Sequence, residues 1–208
     1  IGPAAERPLF GVIAADIGNE DTTGSPTAMV QQYNDILTRN AFGNYRTLLR
    51  EMTVSPIMGT YLTLVNSKKA QASAQPDENY IRELWQLFSV GTFRLNIDGS
   101  LQLDGQGRPL ETYTQREIQD GARALTGWVY APLAGQPAGT FNPNAPMVTN
   151  ESEHDTGTKT LLSDSTGPIV IPGGRTTTQD LDSVIDNVFN HPNVGPFIGR
   201  QLIQHLVT

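Results

Sequence analysis

Ionisable side chains that could bind a metal or act in catalysis are concentrated in one short stretch of the sequence. Glu151, Glu153, His154 and Asp155 lie within five residues, in a segment rich in Gly, Pro, Asn and Thr. Imidazole together with carboxylate suits Zn²⁺ or another divalent ion, so His154, Asp155 and Glu151 are candidate metal ligands. The alternative is structural: His154 ends a helix and Asp155 caps the turn at Gly157. A metal site would need further ligands from elsewhere in the chain.

A second group of charged residues lies on a helix predicted over residues 77–90. Glu78 and Arg82 are spaced i, i+4, and Arg82 and Glu83 flank the apolar stripe of this helix. Because buried charges are normally paired, we expect a structural ion-pair cluster that links this helix to the next one and to the long loop. The expected members of the cluster are Glu78, Arg82, Glu83, Arg123 and Asp155.

Glu83 is open to two interpretations. In the structural one, Glu83 bridges to Arg82 or Arg123, and Asp155 supplies the carboxylate for the other guanidinium. In the functional one, Glu83 is a ligand or general base in a cleft. It would then converge with His154 and Asp155 as the catalytic group of a hydrolase, assisted by a metal. The two interpretations differ in geometry, because only the second requires the three side chains to meet.

Other motifs for catalysis or cofactor binding are absent from the sequence. There is no Gly-x-Ser-x-Gly elbow, no phosphate-binding loop, no dinucleotide-binding turn and no cysteine. Residues 96–100 resemble part of a calcium loop, but alternating residues on both sides favour a hairpin. His191 is expected to be structural, near a helix C-terminus where positive charge is favoured. Trp85 and Trp128 are expected in the core or at helix ends.

Length and charge exclude several classes of function. The chain has 208 residues and a net charge of −7, without a stripe of Lys and Arg. Such a chain is a poor candidate for binding nucleic acid or an anionic membrane. No apolar run approaches the ~20 residues of a membrane-spanning helix.

Hydrophobic periodicity predicts a mainly α fold, a multi-helix domain with one or two small inserted β-hairpins. Thr114 with Glu117 forms the pattern of a capping box, and Thr177 with Asp180 is expected to cap a later helix. The expected helices cover residues 26–40, 45–52, 56–65, 77–90, 114–127, 177–189 and 192–207. The expected hairpins lie near residues 93–104 and 159–171.

Five stretches of the sequence together resemble one known family. They are residues 40–46 (NAFGNYR), 76–84 (PDENYIREL), 122–128 (ARALTGW), 154–159 (HDTGTK) and 191–202 (HPNVGPFIGRQL). In order and spacing they are similar to the bacterial domain-of-unknown-function 1800 family, over about residues 27–208. This resemblance implies a longer parent protein that is exported to the periplasm or the extracellular space. It also implies gene neighbours from a family of unknown function 1501, whose fold is similar to alkaline phosphatases and sulfatases.

The resemblance carries no settled activity and therefore assigns no catalytic residues. We expect an irregular segment over residues 1–24 and a single helical domain over residues 25–208, as a fragment of a longer chain. The expected function is an exported binding or assembly component that acts with a partner protein; the alternative is the metal-assisted hydrolase. The helix over residues 192–207 has a wide apolar stripe, so we also expect an exposed patch there, covered by the rest of the polypeptide or by another chain.

Overall fold

The computed structural model describes residues 26–164 and 167–207. These residues form seven α-helices and two small antiparallel two-stranded sheets, so the protein is helix-rich with small hairpins, as the periodicity predicts. The segment over residues 1–24, expected to be irregular, lies outside the described residues. The helices are α1 (Pro26–Arg39), α2 (Tyr45–Thr53), α3 (Pro56–Tyr61), α4 (Asn79–Gln86), α5 (Gln115–Ala124), α6 (Thr177–Phe189) and α7 (Val194–Leu206). The strands are β1 (Trp128–Val129), β2 (Val148–Thr149), β3 (Lys159–Asp164) and β4 (Gly167–Ile171).

Two predicted elements differ in extent from the observed ones. Helix α4 is shorter than predicted, because the N–H groups of Val90 and Gly91 both donate to the Trp85 carbonyl and close the helix, with Gly91 at φ +71°. The hairpin expected near 93–104 is part of a larger arm over residues 93–111. Antiparallel bridges join Leu95 to Leu101 and Leu103 to Pro109, and a third joins Phe93 to Glu111.

The described chain divides into two compact units, each assembled from two separate stretches. The first unit contains residues 26–66 and 128–148, with helices α1, α2 and α3. Its second stretch is anchored by backbone hydrogen bonds from Asn66 N–H to the Trp128 carbonyl (2.7 Å) and from Met147 N–H to the Val54 carbonyl (2.8 Å). These two bonds fix where the chain leaves and re-enters the unit.

The second unit contains residues 67–127 and 149–207. Strand β3 pairs with β4, and helices α5 and α6 pack on β3 around the fully buried Leu161 and Leu162. Asn187 on α6 binds the edge of β3 by accepting from Leu162 N–H (3.1 Å) and donating to the Leu162 carbonyl (3.0 Å). The core of this unit therefore holds β3 between two helices. None of the helices in the described part of the chain is long and apolar enough to cross a membrane.

Gly121 allows the close approach of α4 and α5 and gives a first prediction. A Cβ atom on Gly121 would lie 2.7 Å from Ile81 Cγ1 and 3.1 Å from the Trp85 ring. Gly121→Ala should lower the free energy of unfolding by about 1–2 kcal/mol, because overpacking outweighs the gain in helix propensity. The matched control is Gly199→Ala on α7, where nothing lies within 4 Å of the new methyl group. This control should be stabilised by up to about 1 kcal/mol. Urea unfolding measures the free energy of unfolding of both variants. Stabilisation of both would contradict the close packing of α4 against α5 at Gly121.

Candidate functional site

The loop before β3 lies within the second unit and is held by the neighbouring backbone. Asn150 N–H donates to the Gly127 carbonyl (2.7 Å), and the Asn150 side chain caps a short 3₁₀ helix over Glu151–Glu153. Lys69 N–H donates to the Glu153 carbonyl (2.8 Å) from the other side. The loop therefore presents His154 and Asp155 inward from a fixed backbone.

His154 is buried, at 2% exposure, and lies between a backbone carbonyl and a carboxylate. Its Nδ1 is 2.8 Å from the Thr126 carbonyl oxygen. Because a carbonyl oxygen only accepts, Nδ1 carries the proton in this contact. Nε2 is 3.3 Å from Asp180 Oδ2 and has no hydrogen-bond partner among the described residues. The imidazole thus faces Asp180, and its neighbour Asp155 points to a different partner.

Asp155 is bound by Arg123 of α5 through two parallel hydrogen bonds. Arg123 Nε donates to Oδ2 (2.9 Å) and Nη2 donates to Oδ1 (3.0 Å), while Nη1 donates to Asp120 Oδ1 (2.6 Å). Gly157 N–H also donates to Asp155 Oδ1 (2.8 Å), which is the expected turn cap. The expected contact between Arg123 and Asp155 is therefore present, and it ties the loop to α5.

Lys159 and Asp180 form a fully buried ion pair behind this loop. Lys159 Nζ donates to Asp180 Oδ2 (2.7 Å) and to the Gly157 carbonyl (2.9 Å), and the side chains are 1% and 0% exposed. Arg175 Nε donates to the second oxygen of Asp180 (2.9 Å). Asp180 thus contacts a lysine, an arginine and His154, and joins the start of α6 to the start of β3.

The charges of this cluster balance. The cations Arg123, Lys159 and Arg175 face the carboxylates of three aspartates. These aspartates are Asp120, Asp155 and Asp180. Burial raises the pKa of Asp155, but hydrogen bonds from Arg123 and from Gly157 N–H outweigh this effect, so the pKa lies below its usual value. The pKa of Asp180 is lowered in the same way, with burial opposed by its contacts to His154, Lys159 and Arg175. Carboxylates stabilised as anions in this way are weak general bases.

Glu83 does not join this cluster, so the expectation that it bridges to Arg82 or Arg123 is wrong. Arg82 pairs with Glu78 instead. Its Nη2 donates to Glu78 Oε2 (2.6 Å), and Gln115 of α5 donates to the same carboxylate. The reason is that Glu78 lies one turn before Arg82, whereas Glu83 is adjacent to Arg82 and side chains at i and i+1 of a helix do not face each other. Glu83 is half-buried, and its carboxylate makes no hydrogen bond or ion pair with any residue that the structure describes.

The candidate metal ligands do not converge either. Glu151 accepts from the backbone N–H of Thr177 (3.0 Å), where its negative charge suits the N-terminus of α6. His154 and Asp155 have the separate partners given above. Among residues 26–164 and 167–207, no three His, Asp or Glu side chains come together in a group that could hold a metal ion.

His191 has the expected structural position but a different charge state from the one expected. Asn193 N–H donates to its Nδ1 (3.2 Å), so this nitrogen carries a lone pair. Its Nε2 lies 3.3 Å from the Ser163 carbonyl, which a protonated Nε2 satisfies. Burial lowers the pKa of His191. The ring is therefore a neutral link between β3 and the start of α7, and not a cation at a helix end.

One family of known proteins is similar to this chain over most of its length. The family model described as a protein of unknown function, DUF1800, matches residues 18–208. This chain belongs to the DUF1800 family. The comparisons with curated proteins and with solved structures gave no match. The buried charge cluster of this DUF1800 chain lies entirely within the matched residues, and the family description assigns it no role.

Sequence reasoning missed the residue at the centre of the cluster. The sequence predicts Asp180 as part of a helix cap with Thr177, but the capping box of α6 is formed by Thr176 and Gln179. This frees Asp180 to point inward. One signal could have indicated it: Asp180 lies four residues before the buried Val184, on the apolar face of the helix. A carboxylate on an apolar helix face needs a buried cation, and Lys159 provides it.

Arg123 gives the prediction that follows from this cluster in the DUF1800 chain. Arg123→Met should lower the free energy of unfolding by about 2–3 kcal/mol, because it removes the guanidinium that binds both Asp120 and Asp155 and leaves Asp155 only the more distant Lys159 (3.9 Å). The matched control is Arg108→Met, which breaks an exposed pair with Asp104 and should change stability by less than about 1 kcal/mol. Urea unfolding of both variants measures the difference, and equal losses would show that the Arg123 contacts add nothing beyond a surface pair.

Proposed function

We propose that this DUF1800 chain is an exported binding or assembly component that acts with a partner protein. The observation that carries the proposal is a contrast between the interior and the surface of the second unit. The candidate catalytic residues His154 and Asp155 are each engaged by a structural partner, and Glu83 lies apart from them. Large apolar side chains, in contrast, are exposed along α7 and on the arm over residues 93–111.

The exposed residues of α7 form one apolar face near its C-terminal end. The exposed fractions are 54% for Leu202, 62% for Ile203, 77% for Leu206 and 75% for Val207. Nearer the start of the helix Pro196 is buried, and Val194, Phe197 and Ile198 are partly buried. The sequence predicted that only part of this stripe would be used within the chain. Side chains of this kind stabilise a complex when a partner removes them from water.

A groove between α7 and the arm extends this face. We call it the α7–arm groove, and it is lined by Ile97, Asp98, Gly99, Ser100, Gly195, Pro196, Gly199, Arg200, Ile203 and Gln204. Ile97 at its edge is 91% exposed. Gly195 and Gly199 lie one turn apart on α7 with nothing within 4 Å of either Cβ position, so a second backbone can approach the helix closely. Asp98 and Arg200 offer opposite charges beside it.

These features favour an apolar segment of another protein as the occupant. The small residues admit close backbone contact, and the apolar side chains beyond them supply the area to be buried. Because the family resemblance implies gene neighbours from the 1501 family of unknown function, a protein of that family is the first partner to test. Export is part of the proposal through the same resemblance and through the absence of cysteine from these 208 residues. The alternative, a metal-assisted hydrolase, has less support because its three candidate residues do not meet.

Variants of α7 test the proposal. Ile203→Glu and Leu206→Glu should each weaken binding to the purified 1501-family neighbour by at least about 10-fold, because a charge replaces apolar contact area. Phe42→Glu is the matched control, since Phe42 is fully exposed but lies in the first unit. Isothermal titration calorimetry measures the affinities. Circular dichroism checks that each variant keeps its fold.

Several outcomes would contradict the proposal. One is an absence of binding between the parent protein and the neighbour. Another is an equal loss in the Phe42 variant, which would show that the effect is not specific to α7. Light scattering supplies a third: if the parent forms a dimer that Ile203→Glu dissociates, the surface is occupied by a second copy and not by a different protein.

A further inference from the structure

The hairpin of β3 and β4 in the second unit has two edges, and they differ. On the β3 edge, side chains from the neighbouring helices bind the backbone. Thr160 N–H donates to Asp120 Oδ2 (2.8 Å), and the N–H and carbonyl of Leu162 both bind the Asn187 side chain (3.1 and 3.0 Å). These side chains take the place of a third strand. On the other edge, formed by β4, the backbone of Val170 is not covered in this way.

The register of the hairpin shows which backbone groups of β4 point outward. In an antiparallel pair, positions whose N–H and C=O bind the partner strand alternate with positions whose groups point away from it. Thr160 points away from β4, because its N–H is bound by Asp120, and Thr160 is the residue opposite Val170. The N–H and C=O of Val170 therefore point away from β3, along the outer edge of the sheet.

Val170 is open to another strand on this edge. The residue is 55% exposed, and its outward N–H and C=O have no hydrogen-bond partner among the described residues. An unpaired N–H beside an unpaired C=O on an edge strand is a template for pairing with a second chain. The sequence Ile-Val-Ile over residues 169–171 increases this tendency, because β-branched apolar residues favour strands.

Proline occupies the outward-facing positions on both sides of Val170. Because the orientation of a strand repeats every two residues, these positions are Pro168 within β4 and Pro172 directly after it. The trans peptide bond before Pro172 supports this, since it directs the proline nitrogen away from the Ile171 carbonyl, which faces β3. Both prolines are exposed, and neither has an N–H group to donate. Val170 is thus left as the single donor of this edge.

We propose that Pro168 and Pro172 prevent the outer edge of β4 from pairing with the same edge of a second copy of this chain. Antiparallel pairing of a strand with its own copy is two-fold symmetric. Its centre would be Val170 against Val170, because the prolines lie two residues to either side. Pro168 of one copy would then oppose Pro172 of the other, where neither residue can donate. The pairing is limited to the central bonds, which are too few to hold the two edges together.

This edge is separate from the surface proposed to bind a partner protein. None of the residues of β4 lines the α7–arm groove. Prolines that flank an apolar strand at positions without ladder hydrogen bonds are a known protection against association through strand edges. The two prolines therefore keep the exposed β4 edge from competing with the α7 surface for contacts.

Amide hydrogen exchange in the parent protein tests the orientation of the edge. Val170 N–H should exchange with solvent at least about 10-fold faster than the N–H groups of Ile169 and Ile171, which face β3. Exchange followed by ¹⁵N-resolved NMR measures the three rates in the 208-residue chain. Equal protection of the three groups overturns the proposal, because Val170 N–H would then already be bound.

Replacement of the prolines tests their role. In the double variant Pro168→Thr/Pro172→Thr each position regains an N–H, and threonine favours strands without the apolar surface of valine or isoleucine. Light scattering should give an average mass at least about 1.5-fold above that of the parent at the same concentration, as expected for two-fold pairing. The matched control is Pro132→Thr/Pro137→Thr, which replaces two exposed prolines of the first unit and should leave the mass unchanged.

A rescue variant shows whether the association uses this edge. Adding Val170→Pro to the double variant removes the central donor, which makes no bond to β3, so the mass should return to that of the parent. Circular dichroism checks the fold of each variant, and the exchange measurement on the parent needs no variant. The proposal is overturned if the folded double variant keeps the parent's mass, if the control associates equally, or if the triple variant associates as strongly as the double one.

Discussion

Asp180 is the residue on which the second unit depends. A fully buried carboxylate is unfavourable unless positive charge and hydrogen bonds surround it. Here Lys159 and Arg175 each bind one of its oxygens, and His154 lies against the same side as Lys159. The partners come from the start of β3, from the turn before α6 and from the loop before β3. One carboxylate therefore fixes the relative positions of these three parts of the chain.

The arrangement around Asp180 also explains why the loop is unsuited to the chemistry that its composition suggests. A catalytic dyad or a metal site needs side chains with free lone pairs directed at a common point. In this loop Asp155 is occupied by Arg123, Glu151 caps α6, and Nε2 of His154 faces the Asp180 carboxylate, whose oxygens already accept from Lys159 and Arg175. The exposed apolar surface of the second unit lies elsewhere, at the C-terminal end of α7 and in the groove beside it.

Local sequence signals predicted the parts of the structure that depend on near neighbours. The capping box at Thr114 and the hairpin of β3 and β4 follow from residues close in the chain. The contact between Arg123 and Asp155 was predictable because a half-buried guanidinium needs a carboxylate. The error over Glu83 came from ignoring the i, i+4 pair that Glu78 and Arg82 already form, since Glu83 is adjacent to Arg82 and does not face it on the helix.

Contacts between residues far apart in the chain could not be predicted from the sequence. The spacing between Lys159 and Asp180 does not indicate that they pair, because the two residues meet only after α6 packs on β3. The return of the chain to the first unit rests on single backbone hydrogen bonds, such as the one from Asn66 to Trp128, which no side-chain pattern predicts.

A double-mutant cycle between Lys159 and Asp180 tests the structural role of this cluster most directly. The cycle consists of Lys159→Met, Asp180→Leu and the double variant, with free energies of unfolding measured in urea. We expect a favourable coupling of about 2–3 kcal/mol. Lys159→Met leaves Asp180 with Arg175 as its cation, Asp180→Leu leaves the buried Lys159 ammonium without its carboxylate, and the double variant removes both buried charges. Additive losses within about 0.5 kcal/mol would contradict the account, because Lys159 would then not be the partner that stabilises Asp180 in the core.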